Sequence, residues 1–411
     1  MLNFYISISY FFHFFSNLFL KIRLLKKKED PYRYQEKLGK YNVANDKNTI
    51  WFNASSLGEI KSIVPLILHF ANKQNLRILV TTSTLSSSQY FHTVFNNSPN
   101  VIHQFSPLDT PIIVKRFLKH WKPRVSIFIE SELWPNLIME SKKTSSLILL
   151  NARLSKKSFA RWKLVKSLAR FIFEQFDSIT AQSKEAKSFI EYFNIKNIIF
   201  FGNLKFCSMQ ELPNDNVFNF KKKLNYSWVA MSTHRGEEEF VIAVSKIIKE
   251  KKIISQCILI PRHIERIKEI LDLLKLHNCS YQLKSEKPES QADNDFYIVD
   301  SYGDTKKIFE QINLVFLGGS IINHGGQNPL EAAKEGCSVF HGPHIHNFSE
   351  IYEFLDNNGI STLVKNQHEL ATSLILNFEK PSNNQKFKDI MKDHGKTILL
   401  DHINYLNSFI K

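Results

Sequence analysis

Glycine is scarce in this chain, with 13 copies among 411 residues, well under the roughly 7 % of average proteins. Four of the 13 form two pairs within nine residues, Gly318-Gly319 and Gly325-Gly326. A residue type that is avoided elsewhere and concentrated here indicates a local need for backbone freedom or for close approach by another group. The segment from Gly318 to Ala333 is therefore the first candidate for a binding site.

Cysteine is also rare, and its four copies show no paired spacing. Cys257 and Cys337 fall within apolar strand-like runs, which is typical of small buried hydrophobic residues in a reducing compartment. A disulfide framework and a zinc site are both disfavoured. The histidine-rich segment 341–346 has no compact Cys or Asp partner and fits no standard zinc spacing. We therefore expect no metal and no other cofactor.

Basic residues exceed acidic ones, 54 against 39, which gives a formal net charge of +15. The body of the chain has no long Lys/Arg block with interleaved aromatic side chains, so a nucleic-acid partner is not expected. The excess fits either a solvated basic surface or attraction to an anionic membrane or substrate. A chain of 411 residues with 43 % hydrophobic content is long enough for two globular domains with sizeable cores.

The first 20 residues carry no charged side chain and are rich in aromatic ones. As a helix they would be about 30 Å long, enough to cross or deeply enter a bilayer. Basic residues follow from Lys21 to Lys28, which reverses the order found in a cleaved signal peptide. The pattern predicts a single membrane anchor with a basic flank and a body on the cytoplasmic side. A buried first helix of the following domain is the alternative.

From Thr49 onward, short β-branched or apolar runs alternate with amphipathic stretches. Such alternation predicts βαβ units and parallel sheets. The pattern breaks at the polar stretch 209–216, and a second series starts at Trp228. We therefore predict an α/β fold with two doubly wound domains, whose ligands bind at the carboxyl ends of strands in a cleft between them.

The predicted boundaries follow from this break in the pattern. The C-terminal helix is expected to pack back towards the N-terminal domain. The segments are a membrane anchor and basic flank at 1–28, a first Rossmann-like domain at 29–206, a linker at 207–226, a second Rossmann-like domain at 227–385 and the C-terminal helix at 386–411.

Polar clusters follow the predicted strands of the first domain. Glu59 opens a helix after a small-residue turn, where the helix dipole favours a carboxylate, and this placement suits a general base. An ordinary first-turn acid is the alternative. Glu130 and Glu132 follow an apolar strand, where an acidic pair is costly unless it binds something or caps a helix. Capping explains Glu132 more readily than Glu130. Lys205, just before the linker, would suit an anionic donor.

Strand ends of the second domain carry groups suited to an anion. Arg262 follows a predicted strand, and its guanidinium is a natural partner for phosphate or carboxylate. The pair Gly318-Gly319 also follows a strand and leads into a helix capped by Asn328-Pro329. Backbone N–H groups exposed there would form a seat for a phosphate or carboxylate. Glu331 is either a ribose ligand or an ordinary first-turn acid.

Several of these motifs occur together in one known family. They are Ser56–Glu59, Glu130–Asn136, Asn151–Ser155, Gly202–Phe206, Ser232–His234, Pro261–His263, Gly318–Ser320, Asn328–Ala333 and Gly342–His344. In this order and at these spacings, the chain resembles the 3-deoxy-D-manno-octulosonic acid (Kdo) transferases of lipopolysaccharide assembly, which are inverting glycosyltransferases of the GT-B type. The resemblance runs from the N-terminus to about His346, and more loosely to the end.

The resemblance implies two Rossmann-like domains facing a cleft, with the acceptor bound by the domain at 29–206 and the CMP-sugar bound by the domain at 227–385. It also implies transfer of Kdo from CMP-Kdo to a lipid A precursor, lipid IVA, at the inner membrane. Glu59 would be the proton acceptor, while Glu130 and Lys205 would stabilise the transition state. No metal is needed in this scheme. The residues predicted to bind the donor are Pro261, Arg262, Tyr302, Gly303, Asp304, Gly318, Gly319, Asn328, Pro329, Leu330 and Glu331.

The chain departs from the family pattern at some positions without losing a proposed catalytic group. These are Asn53 and Gln327 where His is common, Arg235 and Asp304 where Glu is usual, and Ile264 where Pro is usual. Other functions stay open at this point. One is a GT-B transferase or epimerase that uses a UDP-sugar. Another is a membrane-tethered sugar-nucleotide-binding protein without catalysis. A basic nucleic-acid binder is a remote third.

Overall fold

The computed structural model describes residues 2–43, 48–73, 76–208, 226–286, 294–301, 303–380 and 383–410. The chain forms two compact units. The first unit comprises Met1–Met209 and His394–Lys411, and the second unit comprises Gln210–Asp393. Most of the predicted linker lies outside the described residues, as does the predicted donor ligand Tyr302.

The first unit is built on a parallel sheet of seven strands. The strands are β1 (Asn48–Asn53), β2 (Leu76–Thr82), β3 (Val101–Phe105), β4 (Pro123–Ile129), β5 (Ser146–Ala152), β6 (Ser178–Ala181) and β7 (Ile198–Ile199). Their order in the sheet is β3-β2-β1-β4-β5-β6-β7. The direction of strand addition reverses between β1 and β4, and doubly wound sheets bind ligands at such a switch point.

Both faces of this sheet are covered. Ile50 and Trp51 are adjacent on β1 and therefore point to opposite faces, and both are buried. Ser or Thr side chains cap several of the covering helices, among them α2 and α4, because a hydroxyl accepts a hydrogen bond from an otherwise unpaired N–H. The helices are α1 (Leu2–Leu25), α2 (Leu57–Ala71), α3 (Leu85–Phe95), α4 (Pro111–Trp121), α5 (Pro135–Lys142), α6 (Lys156–Lys163), α7 (Lys166–Phe173) and α8 (Lys184–Glu191).

The second unit repeats this plan with another parallel sheet of seven strands. The strands are β8 (Ser227–Thr233), β9 (Gln256–Pro261), β10 (Tyr281–Leu283), β11 (Phe296–Ile298), β12 (Leu314–Leu317), β13 (Ser338–His341) and β14 (Ser361–Leu363). Their order is β10-β11-β9-β8-β12-β13-β14. The switch point therefore lies between β8 and β12.

Helices also cover both faces of the second sheet, since the neighbouring residues Trp228 and Val229 on β8 are both buried. Cys257 and Cys337 are buried within the same unit, as their apolar surroundings predict. The helices are α9 (Glu237–Glu250), α10 (Ile267–Leu276), α11 (Thr305–Phe309), α12 (Leu330–Lys334), α13 (Ser349–Asn357) and α14 (Gln367–Phe378). Helix α15 (Asn384–Asn407) begins in the second unit and ends in the first unit. The predicted α/β fold with two doubly wound domains is confirmed.

Helix α1 packs on the first unit with its small polar side chains inward. Ser9 and Ser16 are buried, whereas Phe4, Phe11 and Phe14 are 70 %, 66 % and 80 % exposed. The aromatic side of the helix therefore faces away from the protein. Among the described residues, no helix combines the length and the apolar character needed to cross a membrane.

Candidate active site

Glu59 lies in the first turn of α2, directly beyond the carboxyl end of β1. Its backbone N–H donates to the hydroxyl of the N-cap residue Ser56. Its carboxylate oxygen Oε2 accepts a hydrogen bond of 2.7 Å from the backbone N–H of Ser55. Burial, together with the negative charges of Glu132 and Glu130, raises the pKa of Glu59 to about 8. A carboxyl group with this pKa is suited to exchange a proton near neutral pH.

Glu132 belongs to the same cluster. Ser55 Oγ donates to its carboxylate, and Trp134 Nε1 donates to Oε2 over 2.8 Å. Burial raises the pKa of Glu132. Ser55 thus contacts two acids, Glu59 through its N–H and Glu132 through its hydroxyl.

The capping explanation for Glu132 is wrong. Helix α5 is capped instead by Asp109, whose Oδ1 accepts a hydrogen bond of 2.7 Å from Leu137 N. The carboxylate of Glu132 is engaged by Ser55 and Trp134, so Glu132 belongs to the acid cluster although it is not among the three predicted catalytic residues. Its place two residues after Glu130, in the loop that follows β4, is the signal for it in the sequence.

Glu130 and Lys205 form an ion pair in which Nζ lies 2.8 Å from Oε1, and their side chains are 5 % and 16 % exposed. Glu130 has a positive φ of 53°, an uncommon conformation for a non-glycine residue that is often found at functional sites. Hydrogen bonds to the end of β5 hold this backbone, because Glu130 N donates to Leu150 O and Arg153 N donates to Glu130 O. The carboxylate is therefore fixed at both its backbone and its side chain.

The short turn Leu204–Cys207 presents Lys205. Asn151 Oδ1 accepts a hydrogen bond of 3.1 Å from Leu204 N, and Asn203 Oδ1 accepts one of 3.0 Å from Lys205 N. The turn packs against α2, the helix that carries Glu59. The first unit therefore brings together the three predicted catalytic residues, which lie up to 146 positions apart in the chain.

In the second unit, the buried carboxylate of Glu237 is the centre of the glycine-rich segment. It accepts hydrogen bonds from four backbone N–H groups, those of His234, Gly319, Ser320 and Ile321. Burial raises the pKa of Glu237, while these N–H groups act in the opposite direction. The carboxylate thus joins the loop after β12 to the turn after β8.

This arrangement corrects the interpretation of Gly318 and Gly319 as N–H donors to a ligand. Gly318 N donates to Met231 O, and Gly319 N donates to Glu237 Oε2 over 2.6 Å. A Cβ on Gly318 would lie 2.4 Å from Ser232 O. Gly318 is therefore required by close packing between the ends of β8 and β12, whereas Gly319 has a positive φ of 67°. An anion must find other donors than these two N–H groups.

Histidines surround the same switch point. The ring of His234 lies 4.1 Å from that of His324 and 5.8 Å from that of His263, measured between centroids. Gln327 Nε2 lies 2.9 Å from His234 Nε2. Burial and the neighbouring cationic groups, including Arg262, lower the pKa of His234 to about 4. Within the described part of the chain, no group of three or more His, Cys, Asp or Glu side chains is arranged to hold a metal ion.

The remaining predicted donor residues lie at the ends of β9 and β11 and around α12. Arg262 is exposed, and its N–H donates to Thr233 O at the end of β8. Asp304 is buried and paired with Lys284, while Ser301 Oγ donates to the same carboxylate over 3.0 Å.

The predicted donor residues around α12 already have partners or are buried. Thr305 Oγ1 donates to Glu331. Asn328 Oδ1 accepts a hydrogen bond of 3.1 Å from Leu330 N, while Pro329 and Leu330 are buried.

Two doubly wound parallel sheets with polar clusters at their switch points define the chain as a protein of GT-B architecture. The solved structure of UDP-GlcNAc 2-epimerase from Methanocaldococcus jannaschii is similar, with a TM-score of 0.56 at 16 % identity over 84 % of this chain and 98 % of that chain. A glycosyltransferase from Rickettsia africae has a TM-score of 0.55 at 12 % identity over 90 % of this chain and 100 % of that chain. At such identities the likeness shows the fold alone.

Sequence comparison identifies the family. Residues 32–208 match the family described as 3-Deoxy-D-manno-octulosonic-acid transferase (kdotransferase). The 3-deoxy-D-manno-octulosonic acid transferase of Rickettsia bellii is 34 % identical over 92 % of this chain and 90 % of that protein. The transferase of the same name from Haemophilus influenzae is 31 % identical over 81 % of each chain. The chain belongs to the 3-deoxy-D-manno-octulosonic acid transferase family and is a glycosyltransferase, as the motifs predicted.

Proposed function

We propose that the protein transfers Kdo from CMP-Kdo to a lipid A precursor, lipid IVA, with Glu59 as the general base. The observation that carries this proposal is the acid cluster of the first unit. There the pKa of Glu59 is raised to about 8 by burial and by the charges of Glu132 and Glu130, and Glu130 is paired with Lys205. Transfer of a sugar to a hydroxyl group needs a base that accepts the hydroxyl proton.

In the proposed reaction, the carboxylate of Glu59 takes the proton of the acceptor hydroxyl as its oxygen attacks the ketosidic carbon of Kdo. The bond between this carbon and the phosphate oxygen of CMP breaks, and CMP leaves with the electron pair. A single displacement converts the β linkage of the donor to the α linkage of the product. The ammonium group of Lys205, oriented by Glu130, stabilises negative charge on the donor.

The second unit is proposed to hold CMP. Arg262 offers an exposed guanidinium at the end of β9, which suits the phosphate. The buried Asp304 is held in one position by Lys284 and Ser301, and Asn328 is exposed before α12. These residues support the donor assignment, and the scheme requires no metal or other cofactor.

Helix α1 supports a location at the cytoplasmic face of the inner membrane. Its outward side carries Phe4, Phe11 and Phe14, and the basic run Lys26–Lys28 follows it. Exposed aromatic side chains on a helix, with exposed basic residues after it, favour an interface rich in anionic lipid. A lipid acceptor would be met at that surface.

Mass spectrometry of the products from lipid IVA and freshly generated CMP-Kdo tests the reaction. We expect a product heavier by Kdo, and about 10²–10⁴-fold lower turnover for Glu59→Gln. Glu185→Gln is the matched control, because Glu185 is also a first-turn acid of a Ser-capped helix but is exposed. Full activity of Glu59→Gln contradicts the role of the base. A product with a UDP-sugar in place of CMP-Kdo contradicts the donor.

Liposome flotation tests the location. We expect the full chain to bind vesicles that contain phosphatidylglycerol more strongly than neutral vesicles, and binding to fall for Phe11→Ser/Phe14→Ser. The control is Leu276→Ser/Ile254→Ser, because these exposed apolar residues of the second unit lie outside α1. Equal loss of binding in both double variants contradicts the assignment to α1.

A further inference from the structure

We propose that Gly395, in the middle of α15, positions Lys205 by allowing this helix to contact the turn Leu204–Cys207 at backbone distance. The inference rests on the proposed function only in assigning Lys205 a part in transfer. The relevant residues all belong to the first unit, which includes His394–Lys411.

Glycine in a helix interior is unfavourable relative to alanine, so its presence in α15 calls for a reason. Gly395 is not among the residues with positive φ, and conformational freedom is therefore not that reason. The reason is close approach, since a Cβ at this position would lie 2.7 Å from the carbonyl oxygen of Phe206 and 3.3 Å from its carbonyl carbon. Contacts shorter than 3.0 Å are not made by real Cβ atoms, and the obstacle here is backbone, so the turn itself would have to move.

Residues on either side of this contact strengthen it. The ring of His394 packs edge-on against the ring of Phe206 at 4.7 Å between centroids and 87° between planes. Cys207 Sγ donates to the carbonyl oxygen of Gly395 over 3.2 Å. Helix α15 thus contacts the two residues that directly follow Lys205.

A second glycine makes the reciprocal contact one turn further along α15. Gly202 has a φ of 107°, and a Cβ on it would lie 2.8 Å from the side chain of Ile398. Helix α15 therefore contacts both ends of the segment Gly202–Phe206, which carries Lys205. Gly202 makes the contact at the start of the segment, and Gly395 of the helix makes the contact at its end.

The consequence for the site follows from sequence proximity. Lys205 precedes Phe206, and its Nζ lies 2.8 Å from Glu130 Oε1. If the Phe206 carbonyl is pushed away from α15, Lys205 moves with it and the ion pair opens. A misplacement of about 1 Å at a catalytic group can reduce the rate by about 10²-fold.

The first test measures the lysine itself. Brief treatment with acetic anhydride, followed by peptide mass spectrometry, gives the acetylation rate of Lys205 relative to that of the exposed Lys251. We expect Gly395→Ala to raise this ratio several-fold, while Lys396→Ala, an exposed neighbour on the same helix, leaves it unchanged. His394→Ala, which removes the ring contact with Phe206, should raise it to a smaller extent and serves if Gly395→Ala does not fold. An unchanged ratio in the folded variants overturns the proposal.

The second test asks whether Gly395 acts through Lys205. We expect kcat for Gly395→Ala to fall by about 10²-fold with the KM for the donor little changed, and the double variant Gly395→Ala/Lys205→Met to be no slower than Lys205→Met alone. A further loss in the double variant shows an independent effect and overturns the proposal. If Lys205→Met keeps full turnover, the catalytic role of Lys205 fails, and the acetylation ratio alone decides the positioning.

Discussion

Tyr5 on α1 donates a hydrogen bond of 2.7 Å to Asp109 Oδ2, the carboxylate that also caps α5. Leu137 N and Asn136 N donate to the same carboxylate. Asn136 Nδ2 in turn donates to Ser9 Oγ on α1 over 3.0 Å. Helix α5 begins three residues after Glu132, so the N-terminal helix is joined to the loop that carries the acid cluster.

We expect Tyr5→Phe to loosen α1, because the variant keeps the ring but leaves the half-buried Asp109 with one donor fewer. The loss of one hydrogen bond to a charged group costs about 1.5–3 kcal/mol. Hydrogen exchange over residues 2–25 of the full chain should therefore become faster. Tyr10→Phe is the control, since Tyr10 lies on the same helix and is exposed. Equal exchange in the two variants contradicts the coupling.

The pH dependence of turnover should show the acid cluster. A general base must be ionised, and the pKa of Glu59 is raised to about 8, so kcat/KM should rise with pH and level off above about 8. The rising limb should move to lower pH in Glu132→Gln, because removing the nearby negative charge lowers the pKa of Glu59. Rates measured from pH 5.5 to 9.5 check both statements. If kcat/KM rises at the same pH in the wild type and in Glu132→Gln, Glu132 does not raise the pKa of Glu59.

The contribution of Glu59 to folding stability should fall as pH rises, whereas turnover should rise. The folded-state pKa of Glu59, about 8, lies above its ordinary value of 4.5. The folded state therefore holds the proton more tightly than the unfolded state, and Glu59 favours folding less as pH rises from 4.5 to 8. Glu59→Gln lacks this slope, so its thermal midpoint relative to the wild type should increase over this interval. A constant difference contradicts the raised pKa.

The overall architecture could be predicted because parallel strands buried on both faces appear as apolar runs separated by amphipathic helices. The same periodicity located Glu59 and Glu130 at strand ends, where doubly wound folds bind ligands. The pattern does not predict short edge strands such as β7 and β14. Strands of two or three residues carry too little periodicity to be separated from loops.

Other features depend on tertiary contacts that no local pattern encodes. Glu237 is one of three consecutive acids at the start of α9, and the sequence alone does not show which of them binds the glycine-rich segment. The inward position of Ser9 and Ser16 on α1 is a further example. The apolar pattern of this helix does not show that polar contacts to Asp109 and Asn136 orient it on the first unit.

Glu237→Gln should destabilise the second unit and weaken nucleotide binding. Each carboxylate oxygen accepts two of the four backbone N–H groups, and an amide has only one acceptor oxygen. Two N–H groups would therefore lose their partner, at about 1–3 kcal/mol each. Thermal unfolding and CMP titration by calorimetry measure the two effects. Glu239→Gln, at an exposed acid of the same helical turn, should change neither. Unaltered CMP affinity in Glu237→Gln would show that the loop does not support the nucleotide site.

Lys284→Met should lower the free energy of unfolding more than Lys249→Met, which removes an exposed lysine from an ion pair. The Lys284–Asp304 pair has side chains 16 % and 3 % exposed, and breaking a buried pair from one side costs about 3–5 kcal/mol. Lys249 is 71 % exposed in its pair with Asp295, and such surface pairs contribute about 0–1 kcal/mol.

The cause can be separated from lost packing by a second substitution. In Lys284→Met the carboxylate of Asp304 remains buried without its cation, so Asp304→Asn added to this variant should recover part of the lost stability, because a neutral amide needs no counter-charge. Nucleotide affinity should not recover in the double variant if the carboxylate itself contacts the donor. Thermal unfolding and CMP calorimetry on the four proteins of this cycle measure both quantities. The electrostatic explanation expects that removing the unpaired buried charge raises stability. A double variant that is less stable than Lys284→Met contradicts it.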